Sequence, residues 1–267
     1  ESKTYYQLRL DYQRKFGAHD ISGLLLFNRS ERTYDDRVPY RYQGMTGRAT
    51  YGYNNKYLAE FNFGYNGSEN FAPGKRYGFF PSGAIGWVIS EEKFMAKTKK
   101  WLDHLKLRAS LGWVGSDKIS DSNDDRFAYL QFYGGGSGYS FGIDNFSNGT
   151  NGLAEGNFAN PDLTWEKARK MNIGLDAAFF NNRLTLAADL FFEHRYDIIT
   201  NLSDANKLGF PSIVGKSAPF INSGIVDNHG IDLEISWNGQ IGKDFRYFIK
   251  PNMTFARNEI KFMNEVK

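Results

Sequence analysis

Residues 120–126, Ser-Asp-Ser-Asn-Asp-Asp-Arg, set oxygen-bearing side chains at alternate positions, Asp121, Asn123 and Asp125, as a calcium loop begins. The match fails where such a loop must turn. Arg126 stands where glycine is needed, and Phe132 stands where a bidentate glutamate belongs. The segment therefore reads as a solvated loop. The histidines, His19, His104, His194 and His229, are scattered, with no pair at i, i+4 and no H-E-x-x-H, so neither a zinc site nor histidine catalysis is supported. No G-x-S-x-G elbow, phosphate loop or dinucleotide fingerprint occurs. The chain has no cysteine, which removes disulfides, thiolate metal sites and cysteine nucleophiles. Its net charge of +3 calls for no nucleic acid or other polyanion. The expectation is a protein with no enzymatic activity, no cofactor and no metal.

A different chemistry is available in the longest polar stretch. Residues 133–142, YGGGSGYSFG, are rich in glycine, but no helix follows, so phosphate binding has little support and a flexible loop is expected. Tyr133, Tyr139, Phe141, Asp144, Asn145, Phe146 and Asn148 combine rings that stack on sugars with amides and carboxylates that take up hydroxyls. They are the candidate substrate-binding set. The same residues could instead pack the loop or contact a partner.

The elements that would position such a loop are strands. Period-two alternation recurs from end to end: Tyr6, Leu8, Leu10 and Tyr12; Tyr57, Ala59, Phe61, Phe63 and Tyr65; Leu105, Leu107, Ala109, Leu111 and Trp113; Met171, Ile173, Leu175, Ala177 and Phe179; Leu184, Leu186, Ala188, Leu190 and Phe192. About ten strands of about 9–14 residues result, longer than globular strands usually are. Alternate joins are tight, at Gly17-Ala18, Asn54-Asn55, Asn181-Asn182 and Gly242-Lys243, where Asn and Gly accept positive φ. The other joins, over 33–42, 67–78, 116–165 and 197–224, are long and polar. One short-side join, Ser90–Lys106, has Phe94, Trp101, Leu102 and Leu105 at helical spacing. Ser90 suits an N-cap, so a small surface helix is expected there.

Long strands with one apolar face, short turns on one side and long loops on the other predict an all-β, antiparallel transmembrane β-barrel. No segment approaches the ~20 apolar residues of a membrane-spanning helix. The negative mean hydropathy does not argue otherwise, because strands alternate. A closed sheet satisfies its own backbone in lipid, with its apolar face on acyl chains and its charged face on water. By parity Arg9, Asp11, Arg48, Glu60, Arg108, Asp176, Asp189, Glu193, Asp232 and Glu234 face the lumen. Tyr12, Tyr51, Tyr53, Tyr57, Tyr65, Trp87, Trp113, Tyr196 and Trp237 lie near strand ends, where aromatic girdles belong. Strand and loop lengths argue against a soluble sandwich.

Three blocks carry a family resemblance. GFFPSGAIGWVISEEKF at Gly78–Phe94, followed by LKLRASLGWVGSDKI, resembles a segment of the SusC/RagA family of TonB-dependent outer-membrane transporters from Bacteroidetes. Asn160–Ile199, NPDLTWEKARKMNIGLDAAFFNNRLTLAADLFFEHRYDII, looks like that family's barrel segment, and Ser223–Gly239 is similar to its N-x-G-[IVF]-[ED]-[LV] strand. The resemblance implies a barrel of about 22 strands with an N-terminal plug. It implies nutrient uptake across the outer membrane of bacteria, of oligosaccharides or peptides, with a SusD-like surface lipoprotein and energy from TonB. Outer-membrane lipid would surround it. No plug, no TonB box and no aromatic-terminated final strand is visible, so residues 1–267 are expected to be a partial barrel, an interior piece of a longer polypeptide. A siderophore or cobalamin receptor of the same superfamily and a soluble β-rich glycan-binding module are the alternatives.

Overall fold

The computed structural model describes residues 1–34, 38–120, 126–140, 149–201 and 218–263. Among the described residues thirteen strands follow one another: β1 (Ser2–Phe16), β2 (His19–Thr33), β3 (Tyr40–Tyr53), β4 (Tyr57–Ser68), β5 (Tyr77–Val88), β6 (Leu102–Ser116), β7 (Tyr133–Ser140), β8 (Gly149–Glu155), β9 (Glu166–Phe179), β10 (Leu184–Asn201), β11 (Phe220–Ile241), β12 (Phe245–Ile249) and β13 (Asn252–Phe262). All but β7 and β8 form one antiparallel sheet in the order β1-β2-β3-β4-β5-β6-β9-β10-β11, with β12 and β13 both paired to β11. The sheet is not closed, and β1 and the β12/β13 line each pair on one side only.

The short turns fold as their residues dictate. Asn54 and Asn55 have φ of 54° and 56°, Asn181 and Asn182 of 58° and 60°, and Gly17 and Gly242 of 61° and 66°. These conformations match the strand twist and cost Asn and Gly little. FRYFIKPNMTFARN reads by alternation as one strand, but the structure divides it into β12 and β13 at Lys250-Pro251. Proline has no N–H to give to the ladder, and its carbonyl accepts from Ile235 N at 3.1 Å instead. Counted with that broken strand as one position, the sheet is ten strands wide, as the alternation predicts.

Register sorts every side chain onto one of two faces, because directly paired residues point the same way. Trp87, Leu107, Leu175, Ala188, Leu233 and Met253 form one cross-strand row. Leu190 lies between Ile173 and Ile231 on the same face. Among the described residues no second sheet or helix covers Leu186, Leu190, Ile173 or Leu233. Leu8, Leu10, Phe61, Ile85 and Leu190 are exposed, as a face that meets lipid must be.

The expected helix over Ser90–Lys106 does not form. Three 3-10 turns, Ile89–Glu91, Lys93–Met95 and Thr98–Lys100, stand there, and β6 begins at Leu102. Ser90 is buried and caps nothing. Glu92 is extended (φ −75°, ψ 147°), and its carboxylate is captured by the strands: it accepts from Tyr57 Oη at 2.7 Å, Trp87 Nε1 at 3.2 Å and Lys56 Nζ at 3.3 Å. These bonds, the Tyr57 hydroxyl first, hold the Glu92 carboxyl below its ordinary pKa. Tyr53 stacks on Tyr57 beside it, and His19 Nδ1 lies 2.8 Å from Tyr51 Oη, so the turn-side aromatics form a linked belt.

Candidate functional site: the polar face and the loop mouth

The face opposite the apolar one carries the charge. Register places Arg9, Asp11, Arg48, Glu60, Arg108, Asp176, Asp189, Glu193, Asp232 and Glu234 all on it. Several come together. Arg9 and Asp11 pair at 2.7 Å along β1. Arg48 reaches Glu60 at 3.6 Å and donates to Asn62 Oδ1 at 2.9 Å. Glu193 is met by Lys170 and Arg195, each at 3.5 Å, and Glu234 by Lys250 at 2.9 Å. Asn62, Lys170 and Arg195 share this face, though parity alone had not singled them out.

The densest group is built on Arg108. Its cross-strand neighbour is Gly174, and Gly174 in turn faces Asp189. A Cβ at Gly174 would come within 2.5 Å of the guanidinium carbon. The missing side chain lets Arg108 lie across β9, donating to Asp176 at 3.1 and 3.3 Å and to Asp189 Oδ2 at 2.6 Å. One arginine thus ties three strands. Asp232 sits directly opposite Asp189, so the row continues as acid beside acid. Gly230, in the N-H-G-I-D-L stretch, serves a similar purpose: the Phe191 ring occupies the space its Cβ would take.

At the long-loop end the polar face is roofed. Phe71, Ile119, Leu163, Trp165 and Phe220 bury one another, with Phe80, Ala128 and Ile199 packed against them. Phe80 pairs with Gly64 on the polar face, which fixes the side on which this small core lies. Polar bonds stitch the loops together. Trp165 Nε1 donates to the Arg76 carbonyl at 3.2 Å, Asn160 Nδ2 to the Phe220 carbonyl at 2.7 Å, and Asn222 Nδ2 to the Thr164 and Asp197 carbonyls, each at 2.8 Å. Arg126 pairs with Glu69, donates to the Val38 and Pro39 carbonyls at 2.9 and 3.0 Å, and lies 3.7 Å from the Tyr40 ring centroid. The sequence had shown Arg126 only as a poor calcium-loop residue; its partners are 57–88 residues away. Asp121, Asn123 and Asp125 lie outside the described residues.

The stretch expected to be a flexible loop is in part a hairpin. β7 and β8 pair antiparallel, Tyr133 with Glu155 and Tyr139 with Thr150, with a bulge between Gly136 and Tyr139. Glycine suits such a bulge and the close backbone approach beside it. The hairpin springs from the roofed core, where Asn160 N donates to the Ala128 carbonyl at 2.9 Å. Tyr133 and Tyr139 are 65% and 67% exposed. Phe141, Asp144, Asn145, Phe146 and Asn148 lie outside the described residues. Among the described residues no three His, Asp or Glu side chains gather as a metal site.

The arrangement is a wall of paired charges with a small apolar core at its long-loop end. Comparison with known proteins agrees with this geometry. The family model described as "TonB dependent receptor-like, beta-barrel" matches residues 2–264. The TonB-dependent receptor SusC of Bacteroides thetaiotaomicron is 33% identical over 217 residues, covering 80% of this chain and 20% of that protein. The TonB-dependent receptor P39 of Formosa agariphila is 29% identical over 228 residues, covering 85% and 20%. This chain therefore spans about a fifth of the length of these curated relatives, 20% in each case. The RagAB peptide transporter superposes with a TM-score of 0.79 at 22% identity, over 98% of this chain and 30% of that one.

Proposed function

The chain belongs to the TonB-dependent receptor-like β-barrel family of the bacterial outer membrane, and from that premise we propose that it is part of the barrel wall of a SusC-like nutrient importer. The importer takes up oligosaccharides or peptides, works with a SusD-like surface lipoprotein, and draws energy from TonB through a plug. The observation that supports this reading best is the division of one single-layered sheet into an uncovered apolar face and a charged face roofed at one end.

In this reading the charged face lines the lumen. Paired charges such as Arg108 with Asp176 and Asp189 hydrate the path without presenting one strong binding site, so cargo passes instead of lodging. The roofed loops and the β7–β8 hairpin form the mouth. Tyr133 and Tyr139, with the neighbouring Phe141, Asp144, Asn145, Phe146 and Asn148, make the first contacts with cargo. No residue is assigned a catalytic role. A soluble glycan-binding module does not fit a membrane family.

These 267 residues hold no cysteine, so single cysteines placed in them, in a full-length protein freed of any other, supply the test. Asp232→Cys is expected to react with a water-soluble maleimide in whole cells, and Leu190→Cys only with a lipid-soluble one. The reverse pattern overturns the lumen assignment. Growth on defined oligosaccharides or peptides, set against growth under iron limitation, decides the cargo. A defect in a deletion strain confined to iron limitation refutes the nutrient reading and favours a siderophore receptor.

A further inference from the structure

The join between β5 and β6, residues 89–101, is the long exception among short-side turns, and it leans outward. Its Glu92 is bonded to Tyr57 and Trp87, which face each other on the apolar side of the sheet. Its far end returns to the same side, where Trp101 stacks on Phe179 with centroids 6.0 Å apart and planes 11° apart. Phe179 is paired with Leu184, in the apolar row. The segment therefore lies against the lipid-facing wall, level with the aromatic belt.

What it exposes there is specific. Phe94 is 67% exposed, and Phe180, in the adjoining turn, holds its half-exposed ring out from a backbone with φ of 57°. A bulky residue rarely adopts that conformation. Phe180 N is tied to the Trp101 carbonyl at 3.0 Å, so the two turns form one surface. Of the acids in the segment, Glu92 is engaged by Lys56 and Glu91 by Lys99. Lys93, Lys97 and Lys100 are exposed and have no carboxylate partner among the described residues. Unpaired ammonium groups on flexible stems, beside rings at the edge of an apolar wall, match the chemistry of phospholipid headgroups: phosphate for the lysines, and the glycerol–acyl boundary for the rings.

We propose that residues 89–101, with Phe180, form a binding surface for anionic phospholipid headgroups in the leaflet on the short-turn side. It would fix the depth of the barrel in the membrane at that point of its circumference. The inference rests on the outer-membrane placement of the apolar face and not on the cargo.

The test reconstitutes the full-length protein in vesicles and measures its selectivity for spin-labelled phosphatidylglycerol over phosphatidylcholine. The wild-type protein is expected to prefer phosphatidylglycerol, and salt is expected to weaken the preference. Each of Lys93→Gln, Lys97→Gln and Lys100→Gln is expected to lower it by up to about fivefold, and the triple lysine-to-arginine variant to keep it. Phe94→Ser is expected to weaken association with both lipids. A wild-type protein with no preference, or a preference indifferent to salt, overturns the proposal without any variant having to fold. A preference that survives the triple glutamine change also overturns it. Cargo uptake by the same proteins is a separate readout, so failure of this surface and failure of the importer reading are told apart.

Discussion

Leu190 sits six positions into β10, paired with Ile173 and Ile231 on the apolar face. Six residues at ~3.3 Å each, on a strand tilted by ~40°, place it ~15 Å from the short-turn end, close to the middle of a ~25 Å hydrocarbon band. Arginine there must stand in acyl chains or reach out through them. Leu190→Arg is expected to cost about 2–4 kcal/mol, whereas Leu184→Arg, at the first position of the same strand and face, is expected to cost at most about 1 kcal/mol. Asp189→Asn, one residue away but on the opposite face, keeps an oxygen for Arg108 and leaves Asp176 to balance it, so its effect should be mild. The assay is reversible urea unfolding of the protein in phospholipid vesicles, followed by tryptophan emission. Equal costs at positions 184 and 190 would refute the depth argument. A larger cost for Asp189→Asn than for Leu190→Arg would refute the facing of the sheet.

Three further outcomes follow from the geometry. Arg108→Met leaves Asp176 and Asp189 without their shared cation and should cost about 1–3 kcal/mol in the same unfolding assay; most of this should return when Asp189→Asn is added. Trp165→Ala removes the largest ring of the roofed core, and should cost about 3–5 kcal/mol of local stability, seen as faster hydrogen exchange over 70–76 and 126–132 while the barrel keeps its heat resistance. The lowered pKa of Glu92 means that its bonds contribute fully above the ordinary carboxylate range and fade as pH falls through the lowered value; Trp87 emission should change over that acidic window, and Glu92→Gln should flatten the response.

Much of the wall is legible in the residues because its code has period two. Parity survives uncertainty about where a strand starts, so Arg9 and Glu234, more than two hundred positions apart, could be assigned to one face. The asparagine and glycine turns are legible for a conformational reason, their tolerance of positive φ. The helix error has a physical source as well. Phe94, Trp101, Leu102 and Leu105 do follow helical spacing, but Leu102 already belongs to β6, Trp101 stacks on Phe179, and Glu92 is held by Tyr57, 35 residues earlier, contacts that local spacing does not show. Pro251 could have been read as a break, since both flanking runs alternate across a residue that cannot pair. The mouth could not be read. Phe71, Leu163 and Trp165 follow no period, and what unites them is distance in space between loops far apart in the chain.

That small core has an evolutionary corollary. Its loop side chains pack on one another and on Phe80, Ile199 and Phe220 at the ends of β5, β10 and β11, so the loops are pinned to the strand ends at a few fixed points. Residues between the anchoring positions, such as the β7–β8 hairpin, are free to diverge in length and composition while the frame around them holds. Under the importer reading proposed above, the loop end can change piecemeal while the strands beneath it are inherited unchanged.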